Sequence, residues 1–81
     1  MERAIERLFP DAEDQAAAMR IVQVLFEKPD DVLRAEEILR RADVSLMQGL
    51  VVLARLTSQG LIQHPRPGAY SVGRIARSQA S

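Results

Sequence analysis

One histidine, no cysteine and eleven carboxylates are the chain's main stock for acid–base or metal chemistry. His64 follows every acid in the chain, so ligands to complete a metal site around it would have to come from the other half of the sequence. A surface position on a strand fits it better, and no metal is assigned. No serine has a histidine or other base close by in sequence to activate it, and neither a G-x-x-x-x-G-K-[ST] loop nor a G-x-G-x-x-G turn occurs. The adjacent acids Asp30-Asp31 and Glu36-Glu37 fall where a turn and a helix start are expected, positions that favour solvated carboxylates. No catalytic residue and no cofactor is therefore expected, and the chain does not read as an enzyme.

What remains for chemistry is charge and hydrogen bonding at a surface. The formal net charge is zero, but the two signs are segregated. All eleven acids lie at or before Asp43, against seven bases, a net of −4. From Val44 onward four arginines (Arg55, Arg66, Arg74, Arg77) meet no carboxylate. A region cleared of negative charge suits a polyanion. Arg66, in a loop, is the best single phosphate contact. Arg34 lies just before a helix and can reach a phosphate or pair with a nearby acid. Ser45 is first a helix cap; its hydroxyl and the adjacent amides can also meet a phosphate.

Those residues need elements to carry them. Residues 1–9 read as a short helix with Met1, Ile5 and Leu8 on one stripe, ended by Pro10. Asp11 then caps a helix reaching about Lys28, with Glu13 and Asp14 in its first turn and Ala18, Ile21, Val22 and Leu25 facing inward, flanked by Met19 and Phe26. Pro29-Asp30-Asp31 breaks it. A brief extended piece, Val32-Leu33-Arg34, leads at once into a helix with Ala35, Ile38, Leu39 and Ala42 inward, followed by the tight turn Ala42-Asp43-Val44. Asp43 is the residue most able to turn left-handed before Ser45 and Gln48 open the next helix with an S-x-x-Q capping box. That helix, residues 45–59, points Gly49, Val52, Leu53 and Leu56 at the core and ends at Gly60. Residues 61–64 and 69–72 then read as two strands around the turn-rich Pro65-Arg66-Pro67-Gly68.

Helix, short strand, helix, tight turn, sharply capped helix, hairpin: this order resembles the winged helix-turn-helix domains of bacterial transcriptional regulators of the IclR and MarR types. Val52-Leu53-Ala54-Arg55-Leu56-Thr57-Ser58-Gln59-Gly60-Leu61-Ile62 is similar to their passage from recognition helix to first wing strand. Gly68-Ala69-Tyr70-Ser71-Val72-Gly73 is similar to the G-x-Y-x-[LV]-G that closes the IclR-type wing. The resemblance implies a mainly α fold with a small β wing (α+β): three core helices, a hairpin and an extra N-terminal helix. It implies double-stranded DNA as partner, with helix 45–59 in the major groove and wing 61–73 on the backbone or minor groove. The expected division is an N-terminal helix over 1–10, the domain over 11–73 and a flexible tail over 74–81.

At the recognition helix the chain departs from those families. Once the core stripe is set aside, its outward residues are Leu46, Met47, Gln48, Leu50, Val51 and Ala54, with Arg55 arriving late. Met47 and Val51 can touch thymine methyls, and Gln48 can hydrogen-bond adenine; the rest offer no base-reading polar group. The expected DNA set is Arg34, Ser45, Met47, Gln48, Val51, Arg55 and Arg66. The alternative is a protein-docking surface made of Leu46, Met47, Leu50 and Val51, engaging a partner or a second copy. Ile5, Leu8 and Phe9 either close over the core or form a dimer contact. The longest apolar run, residues 50–54, is far too short to span a bilayer, so a cytoplasmic protein without membrane contact is expected.

Overall fold

The computed structural model describes residues 2–28 and 30–72. The expected roles of Met1, Pro29, Gly73 and the tail with Arg74 and Arg77 lie outside the described residues. Among the described residues four helices, α1 (Glu2–Leu8), α2 (Ala12–Glu27), α3 (Ala35–Ala42) and α4 (Leu46–Ser58), combine with three short strands, β1 (Leu33–Arg34), β2 (Ile62–Arg66) and β3 (Ala69–Val72). The class is α+β, as expected.

The helix ends follow local chemistry. Ser45 is extended, and its hydroxyl accepts the Gln48 amide at 3.3 Å. The return arm of the expected capping box is not made, because the Gln48 side chain goes elsewhere. Asp11 holds the N-cap position of α2, yet its side chain makes no cap hydrogen bond. The ends of α3 and α4 share one solution. Asp43 is left-handed (φ 56°), its amide donates to Arg40 and the next amide, Val44, to the Leu39 carbonyl at 3.0 Å. Gly60 (φ 74°) repeats this, with Gly60 donating to Thr57 and Leu61 to Leu56, both at 3.0 Å. Both are Schellman closures, and in each the following apolar residue (Val44, Leu61) is buried near the residue whose carbonyl it caps.

The core takes one stripe from each element. Ile21, Leu25, Ile38, Val52, Leu53 and Leu56 are fully enclosed. Ala17 and Val24 join the α2 stripe, whereas Met19 is 37% exposed and lies outside it. Gly49 lets α3 and α4 meet: a Cβ there would overlap the Leu39 side chain. Ile5 and Phe9 are buried in the same cluster, so α1 belongs to the folded unit.

The sheet has the order β1-β3-β2, all antiparallel. Leu33 pairs with Tyr70 and Arg34 with Ala69 on one side of β3; Ile62 pairs with Val72 and Arg66 with Ala69 on the other. Side chains alternate between faces, so Leu33, Tyr70, Ile62 and Val72 face the helices. Pro65 and Arg66, read from sequence as turn, extend β2 instead. The register shifts between Gln63 and Arg66, so His64 and Pro65 together oppose Tyr70. A bulge leaves a residue out of the ladder, which is where a proline without N–H fits. The reversal shrinks to Pro67-Gly68, with Gly68 at φ 76°, the proline-then-positive-φ order of a type II turn. The Gly68 carbonyl accepts the Ala35 amide at 2.9 Å, fastening the hairpin tip to the first residue of α3.

Candidate interaction surface

Helix α4 is anchored by its inner stripe and presents a second, outer one. Leu46 is 62% exposed, Met47 85%, Leu50 46% and Val51 56%, and Ala54 continues the exposed row. The spacing follows from the helical period: Gly49, Val52, Leu53 and Leu56 take the core side, so 46, 47, 50, 51 and 54 must point away. A contiguous apolar face of this kind on a small domain marks an interaction site more often than chance exposure does.

The polar residues that could lend this face base-reading capacity are engaged within the chain. Gln48 is half-buried, and its side-chain amide donates to Asp14 Oδ1 of α2 at 3.0 Å. Reading an adenine edge would require giving up that bond beside a carboxylate. Arg55 turns towards α1: Nη1 donates to the Leu8 carbonyl at 3.0 Å, and the guanidinium carbon lies 5.7 Å from the centre of the Phe9 ring. These two contacts span 34 and 47 residues of sequence. Local periodicity holds no trace of them, so Asp14, Leu8 and Phe9 were missed as partners.

Ile5 and Phe9, expected either in the core or at a dimer contact, take the core position at 1% and 0% exposure. Leu8 is half-buried against the same cluster. Of the residues proposed for an interface, it is the four on α4 that remain outward.

Arg34 and Arg66 lie on the two outer strands of the sheet, β1 and β2. Arg34 and Arg66 flank Ala69 in one cross-strand row, so three neighbouring strands place both guanidinium stems on the sheet face turned away from the core. Arg34 is 81% exposed and lies 3.7 Å from Glu36 Oε1, a pairing of little energetic weight at such exposure. The shallow depression beside it is lined by Arg34, Glu36, Glu37 and Arg40, and Glu37 already accepts from Arg41 at 2.9 Å. Both signs meet there, so cation density is diluted. His64 lies flat against Tyr70, ring centres 4.5 Å apart, with Nε2 accepting the Gly68 amide at 3.2 Å. Its contacts are those of a hairpin brace. Among the described residues no group of three or more His, Asp or Glu side chains comes together as a metal site, and no helix is long and apolar enough to cross a membrane.

No family profile, curated protein or solved structure matches this chain.

Proposed function

We propose that this chain is a winged helix-turn-helix module whose outward α4 face docks a protein partner. In this reading α3, the Asp43 turn and α4 are the helix-turn-helix, and β2–β3 is the wing. The observation that carries it is the composition of that face: four large apolar side chains, 46–85% exposed, with the neighbouring Gln48 and Arg55 held by Asp14 and by Leu8. Fully burying such a side chain is worth about 1.5–3 kcal/mol, so covering four half-exposed ones contributes roughly 1 kcal/mol each. A base-reading helix draws instead on bidentate polar contacts, each worth about 1–3 kcal/mol, and here the polar groups are committed within the chain.

The test is photo-crosslinking from a photoreactive amino acid at position 47 in extract of the source cells. The expected adduct is protein, resistant to nuclease and lost when Val51→Glu is added. A nuclease-sensitive adduct overturns the proposal.

A second reading, double-stranded DNA binding, is favoured by the Arg34–Ala69–Arg66 row. It places the wing on phosphates and predicts duplex binding that weakens with salt, with a log–log slope reduced by about one for Arg66→Ala. Binding indifferent to Arg66→Ala would remove it.

A further inference from the structure

We infer that the partner of the α4 face is an amphipathic segment bordered by lysine or arginine. This rests on the docking reading above and adds the charge of the partner to it. The apolar face opens at its N-terminal end beside carboxylates. Asp14 is fixed there by its 3.0 Å bond from Gln48, and exposed Asp11 precedes it by three residues at the N-cap of α2. Asp43, exposed in the turn, stands two residues before the Ser45 cap. Between residues 44 and 54 no basic residue offsets them. Of the arginines flanking this stretch, Arg41 pairs with Glu37 at 2.9 Å, and Arg55 donates to the Leu8 carbonyl at 3.0 Å. An apolar surface edged by acids complements an apolar stripe edged by bases, and repels both phosphate backbones and acidic peptides.

The experiment titrates the folded chain with three designed amphipathic helices that share leucines and differ in their polar residue: lysine, glutamine or glutamate. Backbone amide shifts locate the binding, and dissociation constants are compared at low and high salt. Exposed ion pairs are individually weak, and three of them give the lysine peptide roughly tenfold tighter binding than the glutamate peptide at low salt. Shifts are expected at Leu46, Met47, Leu50 and Val51. The preference should collapse in high salt and in the Asp11→Asn/Asp43→Asn double variant, whose asparagines still suit an N-cap and a left-handed turn. If all three peptides bind this face equally, or the glutamate peptide binds best, the basic partner is overturned while the docking face stands. If none shifts the α4 amides, both are overturned.

Discussion

Asp43 shows how one residue can both betray and limit a fold. It was legible in the sequence because short polar side chains tolerate the left-handed region, and the structure finds it at φ 56°. Aspartate is a compromise at this position. Asp43→Gly should stabilise the chain by about 0.5 kcal/mol, since relief of left-handed strain outweighs the entropy glycine loses on folding. Asp43→Val should destabilise it by about 1 kcal/mol or more, because a β-branched residue resists positive φ. Urea titration measures both. Arg55 illustrates what single-residue reading misses. Its charge and place on α4 marked it as a phosphate contact, whereas its bonding partner is a carbonyl 47 residues away. Arg55→Ala should therefore lower stability by roughly 1 kcal/mol, the sum of a charge-assisted hydrogen bond and a ring contact at a partly solvated site. A stability unchanged by this substitution would show that α1 does not depend on it.

Among elements, the helices were the easiest to foresee and the hairpin the hardest. Amphipathic spacing and stop signals located the four helices of the described residues within a residue or two. The β2 limit moved because proline was read as punctuation, and a bulge is the one strand setting that accepts it. Helix contact contributes its own constraint at Gly49. The sequence pattern put this glycine on the core side of α4 without revealing why it is so small. The reason is the Leu39 side chain, which occupies the space a Cβ would need. Alanine is the better helix former by about 1 kcal/mol, yet Gly49→Ala should cost a net 1–3 kcal/mol through overpacking. Thermal unfolding of the variant would decide between propensity and packing.

At the scale of the molecule, charge segregation is plain in the sequence, but its meaning changes in three dimensions. The acid-free second half suggested a polyanion surface. Folding brings acids of the first half, Asp14 above all, against the opening turn of α4. Sequence halves are therefore not surface halves. The same is true of α1, set apart in sequence as a separate N-terminal helix. It contributes Ile5 and Phe9, both among the largest fully buried side chains. A chain of this length has about 4–12 kcal/mol of stability to lose, and those two side chains account for roughly 3–6 kcal/mol of burial. Removing residues 1–9 should leave a poorly dispersed, non-cooperatively unfolding chain, as judged by amide spectra and denaturant titration. A truncated chain with sharp, native-like spectra would show that the remaining core is self-sufficient.

The bond from the Ala35 amide to the Gly68 carbonyl carries a consequence for motion. The hairpin tip supplies the acceptor for the first amide of α3, and β1 pairs with β3 immediately before it. Lifting the hairpin therefore also frees the first amide of α3, so the start of that helix is expected to open together with the hairpin. In hydrogen exchange, the Ala35 amide should become labile together with those of the β1–β3 ladder, at one common opening free energy. The hairpin then acts as a hinge-free extension of α3, and a ligand that grips its tip pulls directly on the helix preceding α4.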